Sequence, residues 1–312
     1  MSSKFARIAL LAVLVALATG CQQKDQTGSN APAAAKATAS TPAGAVTAAV
    51  AAMRKNDVGA LLETMMPPAA LAKLKADWHS NMNKDPVTDE QRQHFAETMT
   101  KLTSPNAEAN LYAQIEPKLK EFDQKSAQQM PMIISMGEGI AQSSIKQNND
   151  LSEPQKQEAE KLVDATAKWA QTTKFTDPAL VKQAIAVICK TARNLKLKSV
   201  DDLRALTYDQ GMQKAGIVLA GLKQLMGVYG LNMDKALDSI KVERVSSAAD
   251  AATVKITYTA FDQPFTTETK MVRIDNQWYG EHAVEAWKKK QRHDAALAAA
   301  KAPDKQPAAT GK

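Results

Sequence analysis

The stretch Val254–Gly280, VKITYTAFDQPFTTETKMVRIDNQWYG, decides the fold class. Up to about Ile240 the apolar residues recur every three or four positions, the period of a helix face. Here the period drops to two. Val254, Ile256 and Tyr258 alternate with Lys255, Thr257 and Thr259, and Val272 and Ile274 alternate again further on. Successive side chains on a strand point to opposite faces, so this pattern predicts strands. Asp275-Asn276 separates two strand-like flanks and has the chemistry of a two-residue hairpin turn. Residues 240–245, IKVERV, read as an earlier strand. Three or four antiparallel strands are expected, followed by a final helix through HAVEAWKKKQ, residues 282–291.

Working outward, the preceding part reads as helices. VTAAVAAMRKNDVGALLETMM stops at Pro67-Pro68 and is split near Asn56–Gly59. In the next segment Leu71, Leu74 and Trp78 share a face, and in NLYAQIEPKLKEF so do Leu111, Ile115, Leu119 and Phe122. Thr88 with Gln91, Ser152 with Gln155 and Ser199 with Asp202 form capping boxes or similar starts, and Asp177-Pro178 combines an N-cap with proline at the first helical position. MPMIISMGEGIAQSSIKQ, residues 130–147, is a further helix, with Met130, Met132 and Met136 expected to fill core gaps. The fold class is therefore mainly α with a small C-terminal antiparallel β-sheet, an α+β chain.

Five segments follow from composition: residues 1–20, a signal peptide; 21–45, a tether; 46–238, the helical region; 239–291, the β-meander with its final helix, packed with the helical region or separate from it; and 292–312, a basic tail. Gln22–Gly44 has no aromatic or large aliphatic residue and cannot bury enough surface to fold. The charge of +7 is concentrated at the ends. From Cys21 to Trp287 there are 31 basic and 31 acidic side chains, so the body is neutral and lacks the basic patch of a nucleic-acid-binding domain.

At the N-terminus Lys4 and Arg7 precede Ile8–Ala18, an uncharged run of 11 residues. That is shorter than the roughly 20 residues that cross a bilayer, and it suits the apolar region of a signal peptide. The run ends in Leu17-Ala18-Thr19-Gly20-Cys21, which resembles the lipobox of bacterial lipoproteins, with Ala18 where that pattern usually has leucine. The resemblance implies cleavage before Cys21, a diacylglycerol on its thiol and an acyl chain such as palmitate on its amine. Gln22 follows instead of aspartate, which by the same resemblance implies the outer membrane of a Gram-negative bacterium, facing the periplasm. With Cys21 lipidated, Cys189 has no partner for an intramolecular disulfide and reads as a small buried hydrophobe.

Catalytic and metal patterns are missing from the sequence. His79, His94, His282 and His293 have no metal-ligand spacing, and there is no phosphate-binding loop or G-x-S-x-G. No catalytic residue, cofactor or metal is assigned. Gly211, Gly216, Gly221, Gly227 and Gly230 crowd one apolar helix, where each costs about 1 kcal/mol relative to alanine. Close packing against neighbouring helices is the expected reason. Lys288–Lys290 are expected to be a solvated helix end.

The pattern of Ala252–Tyr258 and Met271–Tyr279 resembles the last strands of small lipoproteins with a cystatin-like or nuclear-transport-factor-2-like fold, over about 45 of 312 residues. That family's sheet implies a ligand role for Tyr258 and Trp278. The function expected is non-enzymatic: an envelope lipoprotein held to the membrane by its lipid, with a structural or protein-binding body and no nucleic-acid partner. Two alternatives stand beside it, an immunity or inhibitor lipoprotein directed at a cell-wall toxin, and a carrier of a small ligand in the sheet.

Overall fold

The computed structural model describes residues 40–126 and 129–301. Thirteen helices and four strands lie among them, in the mainly helical α+β arrangement that the periodicity predicts. In chain order the helices are α1 (Pro42–Arg54), α2 (Val58–Met65), α3 (Pro68–Ala76), α4 (Trp78–Asn83), α5 (Asp89–Thr103), α6 (Ala107–Ser126), α7 (Met130–Gln147), α8 (Glu153–Thr172), α9 (Pro178–Leu195), α10 (Val200–Arg204), α11 (Tyr208–Val228) and α12 (Met233–Asp238). Then come β1 (Lys241–Ser247), β2 (Ala251–Ala260), β3 (Gln263–Ile274), β4 (Gln277–Gly280) and α13 (Glu281–Lys301).

The helix starts are local and follow the sequence. Thr88, Ser152, Ser199 and Thr207 each form a capping box, and the Asp177 carboxylate accepts the backbone N–H groups of Ala179 and Leu180. These side chains satisfy donors that the first helical turn leaves open. Two boundaries differ from expectation. The expected tether runs to residue 45, but Thr41 caps α1 and Pro42 occupies its first turn, so the helix begins inside that stretch and buries Ala45. At the other end α13 continues through the alanine-rich residues 295–300, good helix formers, to Lys301. The segment containing Leu71, Leu74 and Trp78 is two helices, divided at Asp77.

The sheet is an antiparallel meander in the order β1-β2-β3-β4. Asp275 and Asn276 have φ of 50° and 62°, as the predicted hairpin requires. The β2–β3 turn is also two residues, Phe261 and Asp262, with φ of 51° and 56°, and no glycine signals it. The register places Ala252, Val254, Ile256, Met271 and Trp278 on one face. That face meets α1, forming the main core with Val46, Val50, Met53, Leu61, Leu237 and Ile240. α13 returns over β3 and β4, where Tyr279 and Val284 are both buried.

β4 pairs only with Met271–Ile274 and leaves the outer edge of β3 open from Pro264 to Glu268. α8 lies along this gap. Gln155 Nε2 donates to the Glu268 carbonyl, the Thr266 N–H donates to Glu158 Oε2, and Lys161 Nζ donates to the Pro264 carbonyl. Three side chains thus take the place of a fifth strand and close an edge that would otherwise pair with another chain.

The helical body is centred on α11. Its three buried glycines are five residues apart, so each is turned by about 140° from the last. They face three different neighbours. Gly211 lies against the Trp78 ring, Gly216 against the Asn56 carbonyl in the α1–α2 turn, and Gly221 against Thr191 of α9. A β carbon at any of the three has no room. Gly230 instead adopts a φ of +85° just beyond the helix, the left-handed cap position. Close packing therefore accounts for three of the five glycines, a turn for the fourth, and Gly227 stands against open space.

Candidate functional site

Cys21 lies outside the described residues. Trp278 is 5% exposed and belongs to the main core beneath α1. Tyr258 packs at the margin of that core with its ring stacked on Phe265, centroids 5.5 Å apart. The two side chains share the sheet face that α1 and the core occupy, so they serve packing there. Burial raises the Tyr258 phenol above its ordinary value, with the Glu158 charge adding to the effect.

Cys189 is fully buried among Ala107, Val181 and Ile185, and burial pushes its thiol up. A raised thiol holds less thiolate, the reactive form. Lys288 and Lys289 are exposed along α13. Glu90 and His94 line an open groove of about 680 Å³ with Val87, Gln91, Phe95, Thr98 and Val200. No group of three or more His, Cys, Asp or Glu that could hold a metal ion occurs among the described residues.

A smaller polar pocket of about 250 Å³ lies where the α1–α2 turn and α12 meet α11. Its buried Lys223 donates to the carbonyls of Met53 and Arg54, at 3.4 and 3.3 Å, and pairs with the Asp234 carboxylate. The ammonium therefore satisfies the open C-terminal end of α1, where a cation complements the helix dipole. Its bonds tie three helices together, and this is a structural node.

The feature that packing does not explain is α7. Among the described residues it makes its extensive contact with α8, and none of its residues is buried. The two helices are antiparallel. Gln142 Nε2 donates to Asp164 Oδ1 at 2.7 Å, and Lys146 stands 4.0 Å from Glu160. Ile134, Glu138, Ala141, Gln142 and Ile145 are half-buried on that side. The opposite side carries Met132, Met136 and Ile140 at four-residue spacing, with Ile133 beside them. Their exposures are 74%, 62%, 62% and 49%. The remaining exposed residues from Pro131 to Ser144 are Pro131, Ser135, Gly137, Gly139, Ser143 and Ser144. The outward face therefore presents no ionisable side chain over about four turns.

Single exposed apolar residues are normal on a protein surface, but a contiguous stripe of this kind marks an interaction surface. Methionine suits such a surface because its unbranched, polarisable side chain adapts its shape. The expectation that these methionines fill the core is thus corrected for Met132 and Met136. The sequence misled because large apolar side chains such as those of Met130–Met136 are ordinarily buried, and only the fold leaves one side of α7 uncovered. Phe122, expected on the buried stripe of α6, is likewise 42% exposed, because the packed part of that helix ends near Leu119. Comparison with protein-family models, with curated proteins and with solved structures gave no match.

Proposed function

We propose that this chain is a lipid-anchored envelope lipoprotein at the periplasmic face of the outer membrane, and that its body is a protein-docking module rather than an enzyme. The anchor rests on the lipobox-like Leu17–Cys21. Docking rests on one observation, the uncharged stripe of Met132, Ile133, Met136 and Ile140 on the outward side of α7. A surface of this kind gains from contact with another apolar surface, and it has no charge with which to bind nucleic acid or an ionic ligand. α8 fixes α7 to the sheet edge, so the stripe is presented on a supported helix.

The test uses the whole chain expressed in a Gram-negative host. Cys21→Ala is expected to lose the acyl mass and leave the membrane fraction, while Met136→Lys keeps both and loses the crosslinked complex. An unlipidated wild-type chain, or a Met136→Lys chain that keeps its complex, sinks the corresponding half of the reading.

A further inference from the structure

We infer that the partner of the α7 face is a second copy of this chain, docked antiparallel about a two-fold axis at the height of Glu138. This rests on the docking reading above and supplies its occupant. Three observations lead to it.

The chain's own remaining segments offer no cover. Gln22–Ala39 and Ala302–Lys312 contain no large apolar side chain, and Ile8–Ala18 is removed with the signal peptide in the proposed mature protein.

The face is also complementary to itself in size. A two-fold interface sets the same patch on both copies, each residue meeting one on the same edge of the stripe and, to within one position, equally far beyond the axis. With the axis at Glu138, Met132, six positions before it, faces Ser143 of the second copy, five beyond it, and Ile133, five before, faces Ser144, six beyond. Met136 enters the space beside Gly139 and Ile140. Large side chains thus oppose small ones at both ends of the stripe and Met136 meets Ile140 at its centre, as when the four-residue ridges of one helix fill the grooves of another. Gly137 and Gly139 have nothing within 4 Å of where a β carbon would stand, so both helices can approach closely.

Finally, the stripe is free of charge, so two copies meet without like-charge repulsion. Glu138, the single ionisable residue between Pro131 and Ser144, is half-buried on the α8 side. One helix face is smaller than the roughly 800 Å² per partner of a standard stable interface. The dimer is therefore weak in solution and depends on the crowding of copies on one membrane.

The register gives the test. Met132→Cys and Ser143→Cys are made separately in the full-length chain with different tags and co-expressed, and the membranes are exposed to dissolved oxygen. Oxygen takes two electrons and two protons from the paired thiols as the disulfide forms. The mixed disulfide dimer is expected only when both variants are present. Each variant alone places its own thiols 12 or 10 helical positions apart, about 18 or 15 Å along the axis, beyond the 4.4–6.8 Å that a disulfide allows between Cα atoms. Adding Met136→Lys to both chains is expected to remove the dimer. Mixed dimers no more abundant than the two same-variant dimers overturn the register and the inference.

A photo-crosslinking residue in place of Ile140 separates the remaining outcomes without relying on a cysteine. An adduct with another copy supports the inference. An adduct with a different protein overturns it and leaves the docking reading standing. An adduct with lipid, or none, overturns both.

Discussion

The carboxylate of Glu158, on α8, accepts the backbone N–H of Thr266, on β3, at 3.1 Å. This bond stands where the next strand of the sheet would be. Glu158→Ala leaves a partly buried N–H without an acceptor, which costs about 1–3 kcal/mol. Thermal unfolding should report that loss, and hydrogen exchange should show the Thr266 amide losing protection ahead of the β2-facing amides of β3. An unchanged Thr266 exchange rate would mean that α8 does not seal the edge.

The core and the α7 face should respond oppositely to substitution. Trp278→Ala empties space in the main core and should destabilise by about 3–5 kcal/mol. Met136→Lys, on the exposed side of α7, should change the stability of the unassociated chain by no more than about 0.5 kcal/mol. Chemical denaturation of the two variants checks both. A large loss in Met136→Lys would show that the stripe is covered within the protomer.

Two glycines of α11 make a matched pair. Gly216→Ala drives a β carbon into the Asn56 carbonyl, a backbone group that cannot swing aside, and should cost about 1–3 kcal/mol. Gly227→Ala meets open space and should be neutral or stabilising by up to about 1 kcal/mol. Equal melting temperatures for the two variants would contradict the packing of the α1–α2 turn on α11.

Stability should fall in alkali through the buried phenols. Burial raises Tyr208, Tyr229, Tyr258 and Tyr279 above the ordinary tyrosine value, because it disfavours phenolate. A group whose folded value is raised gives stability that is complete below its unfolded value, about 10 for tyrosine. That stability is lost as pH rises through the folded value. Tyr258→Phe should remove one late-ionising phenol from the ultraviolet titration and flatten the alkaline limb of stability. Asp202 has the opposite sign. The N–H groups of Lys198 and Ser199 hold its carboxyl below the usual carboxylate range, so its contribution is present above the unfolded value and is lost as pH falls through the folded one. If the phenol lost in Tyr258→Phe is one that ionises in the ordinary tyrosine range, it is not held by burial.

Cys189 should resist thiol reagents in the folded chain and react on unfolding, since it is fully buried and burial raises its thiol. Colorimetric thiol titration with and without denaturant checks this, and native reactivity would show that α6 opens away from α9.

What the sequence alone determines is whatever depends on near neighbours in the chain. Thr88 with Gln91 and Ser152 with Gln155 close their capping boxes across three residues, and Asp275-Asn276 makes its turn within two. The switch from helical to strand period near Ile240 is equally local, and it separates the helices from the sheet. The lipobox-like Leu17–Cys21 is also read from adjacent residues, as an expectation. Tertiary structure decides which faces are covered. Trp278 and Tyr258 suit a ligand platform by type, yet α1 and the core lie against the sheet face they share. Met132 and Met136 suit a core by type, yet among the described residues the extensive packing on their helix comes from α8, on its other side. The Phe261-Asp262 turn carries no glycine to announce it, and Gln155, Glu158 and Lys161 reach an edge more than 100 residues away. An apolar side chain has the same composition whether buried or bare. Its exposure depends on whether a distant segment returns to cover it, and that is settled only when the whole chain has packed.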